Sequence, residues 1–378
     1  MKTAVSEMLG VEFPILAFSH CRDVVAAVTN AGGFGVLGAV AHTPHGLEVD
    51  LGWIDEQVKG KPYGVDLLLP AKYDTEAAAR PLDRETVRQL LPVGAQRFVD
   101  DILRRYEVPP LAEGADEAVG RMNVSPQGVS SLLDVAFSHP IRLFASALGA
   151  PPAEIIDRAH SHGAVVAALA GKPEHALRHN ALGVDLIVAQ GTEAGGHTGT
   201  ISTMVLVPEV VDAVAPTPVL AAGGIANGRQ VAAALALGAQ GVWCGSVWLT
   251  TAEAETDPTV KKKFLAATSS DTVRSRSMTG KPARMLRSAW TDEWESPDAP
   301  AALPMPLQTI LATPAQQRIN RNATHQGSGA EKLATYFVGQ VVGSMNSVKP
   351  ARQVVFEMVE EYGDVVGRFA DQLRTSQS

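Results

Sequence analysis

Residues 184–200 (VDLIVAQGTEAGGHTGT) pass from an apolar run into a glycine-rich loop that carries one histidine. An unperturbed imidazole titrates near pH 6.5, so His197 is of a type suited to proton transfer at neutral pH. Gly191, Gly195, Gly196 and Gly199 lack the Cβ that would block a close approach, which suits a bound ligand. The competing reading is a flexible strand-to-helix connection whose histidine is solvated or bonded to a backbone carbonyl. A second segment, residues 218–228 (PVLAAGGIANG), ends another apolar run in Gly223-Gly224, and a third, residues 241–246 (GVWCGS), ends in Gly245-Ser246. Glycines and a hydroxyl at the exits of successive strands offer backbone N–H groups to a phosphate, as in the loops after strands seven and eight of a (β/α)8 barrel. These strand exits are not the dinucleotide fingerprint G-x-G-x-x-G, and no P-loop string ending in Gly-Lys-Ser/Thr occurs.

Other reactive residues carry less of a pattern. Asp185 reads as a structural hydrogen-bond partner, and Thr192 and Glu193 as residues that shape the loop. Lys281, Arg284 and Arg287 form a basic segment that either meets an acidic substrate tail or lies in a solvated loop. His20, His42, His45, His139, His160, His162, His175, His179 and His325 read as surface or core residues. The two cysteines, Cys21 and Cys244, cannot build a disulfide framework and lack metal-ligand spacing, so no metal is expected.

Such loops need elements to hold them, and the chain alternates strand-like and helix-like stretches. Strands are expected at 13–18, 35–38, 63–69, 141–147, 165–169, 184–189, 218–222 and 241–246, with helices between them such as 23–31, 53–59 and 174–180. Eight strands in this order predict an α/β fold, the TIM (β/α)8 barrel. The rhythm breaks over 71–138, where 84–91 and 99–106 read as amphipathic helices. That stretch is too long for an ordinary connection and is expected to be a helical insertion after strand 3, or a lid. Past about residue 270 no strand is expected. Residues 278–284 read as a loop, and 331–343 and 353–373 as helices. The barrel then occupies 1–70 and 139–270, and a mostly helical C-terminal extension runs over 271–378.

Of the 378 residues 46% are hydrophobic, and a barrel typically takes about 250 residues, so the chain has residues to spare. A net charge of −8 leaves no basic footprint for nucleic acid or an anionic membrane. No apolar run approaches the roughly 18 residues that span a bilayer. The first residues also lack a signal-peptide pattern, and a cytoplasmic protein is expected. The apolar stretch 354–366 could pack on its own barrel or on a second copy, so a homo-oligomer stays open.

Four segments in this order and spacing resemble the nitronate monooxygenases, formerly called 2-nitropropane dioxygenases, which are FMN-dependent barrels. They are LGVEFPI at 9–15, VTNAGGFGVLG at 28–38, GTEAGGHTGT at 191–200, and AAGGIANGRQ at 221–230 followed by Gly245-Ser246. The same motifs occur in related flavin enzymes, including an enoyl-acyl-carrier-protein reductase family. The resemblance implies that Ala17, Phe18 and Ser19 lie along the flavin ring, that Gln190 reaches the flavin or its ribityl chain, and that Gly195 and Gly196 permit its approach. It further implies that Gly223, Gly224, Cys244, Gly245 and Ser246 hold the phosphate, the cysteine through its backbone. Two positions depart from the family pattern. Asp66 stands where Asn is common and would bring negative charge to the ring, and Phe18-Ser19-His20 replaces an Ala-Pro-Met-like sequence.

By the same resemblance His197 faces the substrate above flavin N5 as catalytic acid or base. The implied reaction oxidises an alkyl nitronate, a small-molecule substrate, with O2. The alternative is an NAD(P)H-dependent flavin reductase of an enoyl, quinone or acyl-thioester substrate, for which the insertion would widen the entrance. A third reading is a barrel that keeps phosphate binding without catalysis.

Overall fold

A computed structural model describes residues 1–67, 91–110, 126–147 and 149–375. Eight parallel strands close a barrel. They are β1 (Ile15–Ser19), β2 (Phe34–Gly38), β3 (Gly64–Leu67), β4 (Leu143–Ser146), β5 (Val165–Ala170), β6 (Leu186–Gln190), β8 (Val219–Ala222) and β9 (Gly241–Cys244). The last pairs with the first, Leu16 opposite Trp243. A second, three-stranded antiparallel sheet joins β7 (Gly196–His197) to the hairpin β10 (Thr272–Ser275) and β11 (Ala283–Leu286), in the order β10-β11-β7.

Strand alternation sorts the barrel into two cores. Leu16, Val36, Leu143, Ala167, Val188 and Trp243 fill the interior, while Ile15, Leu37, Phe144, Val166, Ile187 and Val242 face the surrounding helices. Burial on both faces is why these strands read as apolar runs. Gly35 shows how tightly the layers meet: a Cβ there would lie 2.4 Å from the Val25 carbonyl oxygen of the helix Arg22–Asn30. The inward rows also explain the site. Continuing the period of two, Leu16 leads to Phe18, Gly64 to Asp66 and Val188 to Gln190, so all three side chains are directed to the C-terminal mouth.

Within 71–138 the described residues form two helices with different partners. The helix Pro126–Ser138 buries Val129, Leu132, Leu133, Ala136 and Phe137 in the barrel's helical layer. The helix Val93–Arg105 packs Val99, Ile102 and Leu103 with Trp290, Trp294 and Ile319 of the C-terminal region. The helix expected over 84–91, apart from Leu91, and the end of strand three at 68–69 lie outside the described residues.

Two expectations for the C-terminal region are corrected. Strands do follow residue 270: β10 and β11 are only four residues each and are interrupted by Arg274 and Arg284 (Thr-Val-Arg-Ser and Ala-Arg-Met-Leu), so neither makes the continuous apolar run that marked the barrel strands. Residues 331–343 are not one helix. Helix Gly329–Leu333 ends at Ala334, Phe337 bridges to Met285 of β11, and a 3₁₀ turn covers Gln340–Ser344. The last helix runs Ala351–Thr375 and packs on the helix Gly228–Ala236. No helix among the described residues is long and apolar enough to cross a membrane.

Candidate active site

His197 owes its position to the second sheet. Ala283 of β11 stands opposite it and Arg284 opposite Gly196, whose φ of 76° suits glycine. The Arg284 guanidinium, itself buried, donates from Nε to the Thr192 carbonyl (2.8 Å) and from Nη1 to Thr272 Oγ1 (3.0 Å), stitching hairpin to loop. His197 Nε2 lies 2.9 Å from Thr279 Oγ1, and the Thr279 hydroxyl donates to the Lys281 carbonyl at 3.2 Å. That pattern assigns the proton to Nε2 and the lone pair to Nδ1. Burial, and after it the positive charge of Lys281, pushes the imidazole down to about 4. At neutral pH His197 is therefore uncharged, a correction to the sequence expectation of a group poised near neutrality.

Below it the barrel mouth is lined from several strands. Phe18 stacks on Trp243, ring centroids 6.1 Å apart, and meets His20 edge-on at 5.1 Å. His20 Nδ1 lies 2.8 Å from the Gly38 carbonyl. Gly38 must stay bare, because a Cβ would sit 2.7 Å from the His20 ring and 2.8 Å from Phe18 Cζ. His20 and Tyr336 both keep accessible surface, 37% for Tyr336. Phe337 approaches His197 from the same segment, centroids 6.4 Å apart.

Asp66 is buried, its Oδ2 has no partner among the described residues, and burial alone raises its carboxyl well above the usual range. Burial thus favours its protonated form over the negative charge anticipated from sequence. Gln190 is half-buried at the end of β6, with no hydrogen bond from its amide among the described residues. Ala17 packs outward into the helical layer, and Ser19 Oγ accepts from the Cys21 N–H, which leaves its O–H to donate.

The expected phosphate loops lie alongside. Gly223 and Gly224 take φ of 93° and 74°. The N–H groups of Gly223, Gly224, Gly245 and Ser246 have no acceptor among the described residues. Cys244 faces the helical layer and its buried thiol is pushed up to about 12, so it is no nucleophile. Across these loops lies the segment around Gly339, whose N–H donates to Ser246 Oγ at 2.8 Å, while Gln340 N–H donates to the Glu193 carbonyl at 2.9 Å. Gly195 makes room for it: a Cβ there would lie 2.8 Å from Gly339 N. A cavity of about 330 Å³ opens beside Gly223, Gly224, Gln340 and Ser344.

Glu193 shapes the loop as expected, both carboxylate oxygens accepting from Thr203 N at the start of the helix Thr203–Val214. Asp185 is structural, accepting from the Val166 N–H and from His160 near the start of β6. Reading the sequence missed Thr279 and His20. Nothing in Met-Thr-Gly-Lys-Pro marks the first, whereas the second sat in the very tripeptide that departs from the family pattern.

A family model described as nitronate monooxygenase matches residues 2–361. Over 369 residues the chain is 66% identical to a Mycobacterium tuberculosis protein named as a putative monooxygenase, covering 97% of this chain and 98% of that protein. Nitroalkane oxidase from Streptomyces ansochromogenes superposes with a TM-score of 0.78 at 26% identity, over 100% of both chains. FabK from Thermotoga maritima gives a TM-score of 0.72 at 26% identity, over 98% of this chain and 99% of that one.

Proposed function

The chain belongs to the nitronate monooxygenase family, and we propose that it is an FMN-dependent oxidoreductase that oxidises alkyl nitronates with O2. The observation that carries this reading is the uncharged His197 beside Lys281, held in the glycine-rich loop by its pairing with β11. An imidazole pushed to about 4 is a poor base for stripping a proton from a neutral nitroalkane. A nitronate arrives already deprotonated and anionic, which suits the nearby ammonium and asks of His197 only orientation or a transient proton.

The residues present fit the cofactor. The four N–H groups without acceptors suit its phosphate. The buried Oδ2 of Asp66 and the Gln190 amide match the polar edge of a flavin ring, and Phe18 and Tyr336 offer it flat walls. When bound, the flavin supplies the electron transfer. Burial favours protonation of Asp66, and in that form it would donate a hydrogen bond there without repelling added electrons. Thr279 holds the His197 ring in one orientation, leaving Nδ1 for the substrate.

The second reading is the NAD(P)H-dependent reductase, since the same motifs serve both chemistries. One experiment separates them. The purified protein is expected to be yellow, to release FMN on denaturation, and to be bleached by propionate 3-nitronate when oxygen is absent. Bleaching by NADH or NADPH but not by the nitronate would overturn the first reading. A protein that stays colourless after FMN is added would overturn both.

A further inference from the structure

Residues 272–287 hold Arg274, Arg276, Lys281, Arg284 and Arg287 without one Asp or Glu, in a chain whose net charge is −8. Such a local excess needs either internal partners or an outside anion. Arg284 is spent on the Thr192 carbonyl and Thr272, and Arg287 pairs with Asp292 at 2.8 Å. Lys281 lies beside His197, and Arg274 and Arg276 are left over. Among the described residues neither meets a carboxylate. Arg274 Nη2 donates to the Thr198 carbonyl (3.1 Å) and Arg276 Nη1 to the Gly280 carbonyl (2.9 Å), while Arg274 Nε is buried without an acceptor. A guanidinium carries five N–H donors, so both have donors to spare.

These two side chains line a cleft of about 530 Å³ together with Thr200, Ser277, Trp294 and Glu295, and residues 299–302 close it with alanine and proline. The cleft is thus cationic on one wall and apolar on the other, with Glu295 its one carboxylate. Its position bears on the site. Arg274 pairs with Arg284, which pairs with Gly196, and the carbonyls the two arginines hold belong to the neighbours of His197 and Thr279.

We propose that this cleft binds the phosphate-bearing nucleotide head of a large substrate or co-substrate, the guanidinium forks taking the phosphate and the apolar wall taking the base. The proposal rests on the flavin oxidoreductase reading above in its second form, the reductase, and adds a substrate class to it, since a nitronate oxidised with O2 needs no nucleotide. The fork geometry of arginine matches phosphate in two parallel hydrogen bonds, and the volume exceeds what a bare anion needs. Two ligands share this chemistry: a nicotinamide dinucleotide phosphate, and a thioester carried on a coenzyme A-type nucleotide.

The test uses the flavin-loaded protein and two probes, adenosine 2′,5′-bisphosphate for the first source and adenosine 3′,5′-bisphosphate for the second, followed by calorimetry and tryptophan fluorescence. Saturable binding of at least one is expected, weakened by added salt. R274Q/R276Q should weaken it by about tenfold or more, and the exposed single change R276Q by less, with flavin content unaltered. W294F should abolish the fluorescence change and keep the calorimetric signal. The preferred isomer names the source. Absence of saturable binding, or equal affinity in R276Q and R274Q/R276Q, overturns the proposal. Flavin-loaded protein that binds neither probe sinks the cleft alone, whereas protein that takes up no FMN yet binds a probe sinks the flavin reading alone.

Discussion

His197 Nε2 and Thr279 Oγ1 meet at 2.9 Å although 82 positions of chain separate them. The contact holds the ring in one orientation and, with the Thr279 hydroxyl donating to the Lys281 carbonyl, puts the proton on Nε2. Thr279→Val keeps the shape and removes the partner. Turnover with a nitronate is expected to drop by about tenfold to a hundredfold, a part of what acid–base groups contribute, with flavin content unchanged. Thr279→Ser should restore it; a fully active valine variant would remove the contact from catalysis.

The depressed imidazole sets a pH signature. With its folded value at about 4 and its unfolded value at 6.5, the unfolded chain binds the extra proton between them. Stability should fall as pH drops through that window, by at most about 3 kcal/mol from this residue. His197→Gln should lose that share of the slope in denaturant titrations between pH 4 and 6.5. The pH profile of kcat/KM should likewise show no limb near 6.5 attributable to His197.

Asp66 carries the opposite sign. Its folded value is raised, so the native state keeps a proton that the unfolded carboxyl loses above about 3.8, and stability from this residue falls as pH rises. Asp66→Asn, which cannot ionise, should remove that pH dependence, raise stability at pH 7 and retain FMN. A lower melting temperature at pH 7 would contradict this.

Gly195 bears on closure over the loops. A Cβ 2.8 Å from Gly339 N cannot be absorbed by a flexible side-chain end, since the atom it meets is backbone. Gly195→Ala should cost about 1–3 kcal/mol by overpacking and loosen the Gly339 to Ser246 contact. Thermal unfolding and flavin release on dilution would register both; unchanged flavin retention would mean that the segment around Gly339 does not secure the cofactor loops.

The barrel was legible because strands buried on both faces must be apolar, and because Gly223-Gly224 and the loop around His197 follow such strands directly. The hairpin that holds His197 was not. Its strands Thr272–Ser275 and Ala283–Leu286 are four residues each, and half of what fixes them is side-chain bonding by Arg284 to loop atoms distant in sequence. The ionisation of His197 and Asp66 was also out of reach, since residue type gives an ordinary value and only packing reveals how much water has been removed. Ala17 was placed on the right strand end, but the parity of the strand sends its side chain away from the mouth.

The strand that seats His197 against β11 has consequences for how the protein is made. Every barrel strand precedes residue 245, whereas the residues that pin the imidazole, Thr279, Ala283 and Arg284, follow it. A growing chain therefore carries every barrel strand before the residues of the clasp, and a chain ending at residue 245 would leave its histidine untethered.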